Sequence, residues 1–284
     1  MPSSIPQRKK VATNLADRDN EAQAQPKEVS TILDELTNAG LHEYRRPLQQ
    51  TFMSAFTAGM EVGFSVLLMG VLYTLLSDEV SEVSMHIILA FAYPIGFIFV
   101  VIGRSELFTE HTDLSLLPLL ARRVKFTQLL RLWGTIFTGN LLGGYLIGLM
   151  LISIGPHLNI IEDASLIHLA EKMVRYDWWA ILGSGVLAGW LMGLLTWLVG
   201  ASQETISRML SVIMVTVVIG ISGLHHSIVG SIEVFCGTVL GDELGLKDYL
   251  HFQIWATLGN IIGGSVFVAL FKFGQANRHW KSFR

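Results

Sequence analysis

The sequence predicts an all-α membrane protein in which six helices cross the bilayer as two inverted repeats of three. Three observations predict this fold. The chain of 284 residues is 51% hydrophobic and only 15% charged, whereas an average soluble domain has about 25% charged residues. Six apolar segments reach the length of about 20 residues that a helix needs to span a bilayer. A glycine-rich hexamer from the third segment also recurs in the sixth.

Each apolar segment is predicted to be one membrane-spanning helix. The fourth segment has no charged residue, which is unusual for a helix of a soluble protein because one face normally meets water. Residues 48–274 are therefore expected to form a transmembrane domain, followed by a short tail over 275–284. The predicted spans are Phe52–Leu76, Met85–Gly103, Leu132–Ser153, Trp178–Ala201, Met209–Leu240 and His251–Phe273.

The first 47 residues are predicted to form a polar N-terminal tail. They contain no apolar core of the kind that marks a signal peptide. The stretch Met1–Pro26 has the polar composition of a disordered segment. Farther along, Ser30–Arg46 predicts a short surface helix because its apolar residues recur at helical intervals, namely at Ile32, Leu33, Leu36 and Leu41.

Lysines and arginines near the ends of the spans predict the orientation, since cytoplasmic loops carry an excess of both. We expect both termini to be cytoplasmic and the protein to lie in a bacterial inner membrane, in contact with lipid. A net charge of −3 gives no indication of a nucleic-acid partner. The cations on the predicted cytoplasmic side include Arg45, Arg46, Arg122, Arg123, Lys125, Arg131 and Arg208, whereas the opposite loops have only Lys172, Arg175 and Lys247.

The internal repeat predicts a conduit. Gly139–Gly144 reads Gly-Asn-Leu-Leu-Gly-Gly, and Gly259–Gly264 reads Gly-Asn-Ile-Ile-Gly-Gly. A unit of three spans crosses the membrane an odd number of times, so its second copy must be inserted upside down. Inverted repeats of this kind build transport folds with a site near the middle of the membrane.

The second and fifth spans are predicted to be broken helices. The second runs into the polar stretch Arg104–Asp113, and the fifth is interrupted by Gly220–Ser227. Non-helical backbone at membrane depth survives only where it is buried in protein or lines a wet cavity. Because N–H groups and helix N-terminal dipoles attract negative charge, we expect the two breaks to flank the path of an anion.

At these residues the chain resembles the formate/nitrite transporter family, over most of Leu48–Phe273. Glu106–Thr109 is similar to the family's acidic-Leu-Phe-Thr element, and Gly223–Ile228 is similar to its Gly-Phe-Glu-His-Ser-Ile element. The two glycine-asparagine hexamers match its third and sixth helices. The long polar N-terminal tail resembles a divergent branch of the family. The resemblance implies an aquaporin-like protomer, a homopentamer with one pore per protomer, and a small monovalent anion such as formate, nitrite or hydrosulfide as cargo.

The resemblance also implies residue roles. His226 takes the place of the family's central histidine, and Thr109 takes the place of the threonine that hydrogen-bonds near it. Leu107 and Phe108 belong to the loop that forms a pore constriction. From the residues alone, an ionisable side chain in an apolar span is costly and usually functional. The alternative is a neutral His226 that bonds a neighbouring carbonyl.

Four further residues are candidates for the pore. Ile219 precedes the second break, and His225 stands where the family has a glutamate. Arg104 replaces a family glycine, and Glu61 lies where an apolar residue is usual. Two interpretations of these charges remain open. Glu61 and Arg104 form an ion pair inside the protomer, or Arg104 faces the pore as an anion attractor that Glu61 screens.

Three residues are expected to support the pore. Asn140 and Asn260 of the two hexamers are predicted to satisfy backbone groups of the opposing broken helices, because unpaired backbone groups are costly at this depth. Glu106 lies in the first break and is assigned to the same supporting role.

Two other functions remain open. One is a membrane-embedded metalloenzyme, because histidines and carboxylates suit iron or zinc. Its candidate ligands are Glu106, Glu110, His111, His225 and Glu233. Against it, the adjacent His225 and His226 would point about 100° apart on a helix, and we expect no metal site, cofactor or enzymatic activity. The other is a non-conducting membrane adaptor that acts through its N-terminal tail.

Overall fold

A computed structural model describes residues 26–266 and 272–275. The predicted disorder of Met1–Pro26 lies almost wholly outside these residues, as does most of the predicted C-terminal tail. The described residues form helices and connecting loops, without a strand. The helices are α1 Val29–Glu43, α2 Leu48–Leu76, α3 Glu82–Ala92, α4 Pro94–Gly103, α5 Phe108–Leu114, α6 Leu116–Leu120, α7 Phe126–Ile154, α8 Asp163–Val174, α9 Trp178–Ala201, α10 Thr205–Ile221, α11 Val229–Leu240 and α12 Leu246–Gly264.

The predicted spans correspond to these helices. In the described part of the chain, four segments are long and apolar enough to cross a membrane: α2, the α3–α4 stretch, α7 and α9. The predicted fifth span is divided into two shorter apolar helices, α10 and α11. The sixth begins five residues earlier than predicted, at Leu246, and α12 is its described part.

The two repeats are visible in how the helices pack. The most extensive helix pairs are α2 with α7 in the first half and α9 with α12 in the second. A Cβ atom at Gly143 would collide with the Phe56 carbonyl, and one at Gly263 would collide with the Val186 carbonyl. Equivalent glycines therefore allow the same close helix approach in both halves, as small residues do in membrane helices.

Both predicted breaks are present. After α4 the chain turns at Arg104, whose φ of 59° is left-handed, and it then runs without helix to α5. The second break separates α10 from α11 and turns at Gly223, whose φ is 60°. The left-handed region favours glycine, so Gly223 suits its turn, whereas Arg104 adopts a conformation that is uncommon for a side-chain-bearing residue.

An interruption that the sequence analysis did not predict divides α3 from α4. Pro94 lacks a backbone N–H and so breaks the regular helical hydrogen bonding at this point. Ser65 of α2 fills the gap, because its hydroxyl donates to the Tyr93 carbonyl (2.6 Å) and accepts from the Gly96 N–H (3.0 Å).

The predicted surface helix in the N-terminal stretch is α1, and it is docked on the membrane domain. Ile32, Leu33 and Leu36 are buried against Leu117 and Trp197. Beyond α1, the Tyr44 hydroxyl donates to the Ser115 carbonyl over 2.7 Å. Burial raises the pKa of Tyr44 to about 12, although the hydrogen bond to Ser115 lowers it in part. The tail's helical part therefore belongs to the folded body.

The two ends of the molecule differ in what covers them. We call the end that α1 covers the α1 side. At the other end, α8 lies in the connection between the third and fourth spans and packs against α11. We call that end the α8 side.

Candidate functional site

An asparagine holds the first break in place. Asn140 of α7 accepts the Phe108 N–H at its Oδ1 over 2.7 Å. Its Nδ2 donates to the Ala55 carbonyl of α2 (2.7 Å) and to the Glu106 carbonyl in the break (2.8 Å). One buried side chain thus satisfies three backbone groups and fixes the break against two helices.

The second break has the same arrangement. Asn260 of α12 accepts the Ser227 N–H over 2.8 Å and donates to the carbonyls of Gly185 and His225, each over 2.9 Å. We expected each asparagine to bond the opposing broken helix, and this was wrong. Each asparagine holds the break of its own repeat, because the break and the hexamer of one repeat pack against each other.

The matched hydrogen bonds identify equivalent residues in the two halves. Asn140 binds the backbone on either side of Leu107, at Glu106 and Phe108, and Asn260 does so on either side of His226. Leu107 and His226 therefore occupy equivalent positions in the two breaks. Both are buried, with 0% and 1% of their surface exposed. One half presents an apolar side chain at this position, and the other presents an imidazole.

The structure brings His226 and Thr109 together across the two repeats. The His226 Nε2 lies 2.8 Å from the Thr109 hydroxyl. The Nδ1 accepts the Val229 N–H over 3.3 Å, so in a neutral ring the proton lies on Nε2 and is donated to Thr109. Phe97 packs edge-to-face on the imidazole, with 5.1 Å between ring centroids. The contacts of His226 thus leave the threonine hydroxyl hydrogen free for another acceptor.

A cavity of about 280 Å³ reaches His226 from the α8 side. Ile219, one of the predicted pore residues, lines it together with His226. Two cations, Lys172 and Arg175, and the buried carboxyl group of Glu233 also line it. The pKa of Lys172 is lowered mainly by its partial burial and also by Arg175 beside it. This cavity joins a positively charged entrance to the central histidine.

A second cavity, of about 470 Å³, lies on the α1 side. Its lining includes Arg104, Glu106 and Arg208. Glu61 is not part of the lining and hydrogen-bonds instead to Ser105. Among the described residues no ion pair joins Glu61 to Arg104. The predicted ion pair is therefore absent from the described residues, and Arg104 lines the α1-side cavity.

Phe108 and His225 have structural contacts. The Phe108 ring packs on Phe137, with centroids 4.9 Å apart, and on Trp133. The Nδ1 of His225 lies 2.8 Å from the Ser184 hydroxyl, and its Nε2 lies 3.1 Å from a carbonyl of α8. His225 therefore fastens the second break to α8 and α9, and it is absent from the lining of both cavities.

Several site residues were missed by reasoning from the sequence. Lys172 and Arg175 served only to predict the orientation, because nothing in a loop sequence shows that it folds over a distant break. Phe97 resembled any core aromatic residue. Asp113 lines neither cavity, but it is fully buried, and neither of its carboxylate oxygens has a hydrogen-bond partner in the part of the chain that the structure describes. Its place in a polar, membrane-spanning stretch was the one available signal.

Comparison with known proteins agrees with this geometry. The family model described as formate/nitrite transporter matches residues 30–274. The inner membrane protein YfdC of Escherichia coli (strain K12) is 26% identical over 253 residues, which are 88% of this chain and 79% of that protein. A solved FNT family ion channel superposes with a TM-score of 0.75 at 24% identity. The match covers 86% of this chain and 98% of the channel's chain.

A solved pentameric formate channel with formate bound has a TM-score of 0.68 at 19% identity. The match covers 80% of this chain and 96% of the formate channel's chain. These likenesses confirm the predicted aquaporin-like, all-helical membrane fold. The matching proteins are transporters and channels, so the predicted absence of an enzymatic role is confirmed and the metalloenzyme alternative is not supported. With its model matching well over half of the 284 residues, the chain belongs to the formate/nitrite transporter family.

Proposed function

We propose that each protomer passes a small monovalent anion, of the formate and nitrite class, between the two cavities. The observation that carries this proposal is the position of His226. It lies at the inner end of the α8-side cavity and hydrogen-bonds Thr109 of the other repeat. Family membership and the likeness to a formate channel support the same conclusion.

The barrier to an anion in this fold is the loss of water. Moving an ionised carboxylate into an apolar medium costs far more than the few kcal/mol that an unpaired neutral polar group costs. Lys172 and Arg175 on the α8 side raise the local concentration of anions, as a charged cleft does. The anion then meets the Nε2–H of His226 and the hydroxyl of Thr109, which replace part of its hydration.

Proton transfer at His226 would remove the remaining cost. A proton from the solution on the α8 side first converts His226 to its charged form. The anion takes this proton, leaves a neutral imidazole behind and continues as a neutral acid past Leu107, whose apolar side chain suits a neutral species. On the α1 side, Arg104 and Arg208 favour its return to the ionised form. This mechanism predicts that flux depends on pH and that the narrow part of the path excludes larger or multivalent anions.

The same proposal includes the assembly and the location. We infer a homopentamer in a bacterial inner membrane with both termini in the cytoplasm. The similar formate channel is a pentamer, which supports the assembly, and the relative YfdC is an inner membrane protein, which supports the location. The many large apolar side chains exposed on the helices suit contact with lipid and with neighbouring protomers.

A flux assay with a matched pair of variants tests the proposal. In Ile219→Trp the larger side chain would fill the α8-side cavity, whereas Val218→Trp adds the same group at a position that is 47% exposed on the outside of α10. Purified protein in liposomes should pass formate and nitrite but exclude sulfate, and Ile219→Trp should abolish the flux. Flux that Ile219→Trp leaves at the level of Val218→Trp would contradict the proposed path.

A further inference from the structure

Three potential metal ligands converge beside the α1-side cavity. One ring nitrogen of His111 and one carboxylate oxygen from each of Glu43 and Glu106 all lie within 4.8 Å of one another. They come from three separate elements, namely the C-terminal end of α1, the first break and α5. His111 and Glu106 are each 5% exposed. The cluster is thus built by the fold rather than by a local run of acidic residues.

The donor atoms are prepared for a metal ion. The Nδ1 of His111 bonds the Leu107 carbonyl over 3.1 Å, which leaves Nε2 as the open ring nitrogen. Metal-binding histidines are usually oriented by such a bond from the other nitrogen. Separately, Glu106 Oε2 is buried and has no hydrogen-bond partner among the described residues. A buried acceptor without a partner is costly, and a cation would satisfy it.

Arg46 occupies the cluster as the resident cation. Its Nη1 donates to Glu43 Oε2 over 2.9 Å and also bonds Glu106 Oε1. The carboxylates of Glu43 and Glu106 thus share one guanidinium, although the cations Lys27, Arg104 and Arg208 line the adjoining cavity. A divalent ion would compensate the negative charge more fully than Arg46 does.

We propose that Glu43, Glu106 and His111 form a binding site for a divalent transition-metal ion such as Zn²⁺, which displaces Arg46. Carboxylate and imidazole ligands suit zinc, and three protein ligands leave a position for water. Binding would tie the end of α1 to the break that contains Leu107. The candidate ligands Glu110, His225 and Glu233 of the metalloenzyme alternative are not part of this cluster.

Calorimetric titration of zinc into the full-length protein tests the site without any flux measurement. The wild type should bind one Zn²⁺ per protomer. His111→Gln and Glu43→Gln should each weaken binding at least about tenfold, since loss of even an outer-shell partner costs about 10–100-fold. Arg46→Gln should bind zinc more tightly than the wild type, because the competing cation is gone.

The control is His157→Gln, which removes an exposed histidine whose Nδ1 bonds the Ser153 carbonyl of its own helical turn. It should bind zinc as the wild type does. Wild-type affinity in Glu43→Gln or His111→Gln would overturn the proposal, as would weaker binding in Arg46→Gln. If His111→Gln fails to fold, Glu43→Gln and Arg46→Gln decide the matter, because they should change the affinity in opposite directions.

Discussion

At His226 the backbone and the side chain have separate tasks. Asn260 fixes the backbone on both sides of this residue, through Ser227 and His225. The ring adds one bond of its own, in which the Nδ1 accepts the Val229 N–H. The imidazole Nε2 is directed at Thr109, and in the proposed mechanism it meets the anion there. Preorganisation of this kind removes the need to reorient polar groups during passage.

This division of tasks predicts that the asparagines matter for stability. Asn260→Ala leaves the Ser227 N–H and the His225 carbonyl of the break without this partner, and each such group costs about 1–3 kcal/mol. Asn140→Ala should be destabilised to a similar extent, because its three bonds are equivalent. Melting temperatures of the purified proteins in detergent would measure both effects. Asn38→Ala, at an exposed position on α1, is the matched control and should melt like the wild type. If the wild type and all three variants melted at the same temperature, the structural role of Asn140 and Asn260 would be contradicted.

At the scale of the helices, the sequence predicts where the chain crosses and breaks but not what the pieces contact. The breaks at Arg104 and at Gly223 were found because polar residues and glycines interrupt apolar runs. The interruption at Pro94 was missed because both sides of it are apolar and the serine that satisfies it comes from another helix. Helix α1 was predicted from its spacing, but its docking depends on distant partners such as Trp197.

Equivalent glycines give a test at this scale. In Gly143→Ala the new methyl group would collide with the Phe56 carbonyl and force α2 away from α7. Overpacking of this kind typically costs about 1–3 kcal/mol. Gly263→Ala should have the same effect between α9 and α12. Thermal unfolding followed by size-exclusion chromatography would detect both.

The controls for these substitutions are Gly134→Ala in α7 and Gly183→Ala in α9. A Cβ atom at either position meets nothing within 4 Å, and alanine is the better helix former by about 1 kcal/mol. Both should unfold at or above the wild-type temperature. If Gly143→Ala and Gly263→Ala were as stable as these controls, the close approach within each repeat would not be needed.

At the scale of the molecule, the path is asymmetric although the scaffold is a repeat. The two breaks are held alike, yet one presents Leu107 and the other His226. The cavity of the α8 side opens among Lys172 and Arg175, and that of the α1 side is covered by α1. Six spans, inversion and the central histidine could be predicted from the sequence, because periodicity and motifs are local signals. The approach of α8 to His226 could not, since it depends on tertiary packing.

The central claim is that His226 couples the passage of the anion to a proton. Formate uptake into liposomes containing the wild type should accelerate from pH 8 to pH 6, after subtraction of uptake by protein-free vesicles, because protons at the imidazole become more available. Thr109→Val should lower the rate and keep this pH dependence. His226→Asn should lose the pH dependence. A His226→Asn protein that transports formate with the pH profile of the wild type would contradict the account.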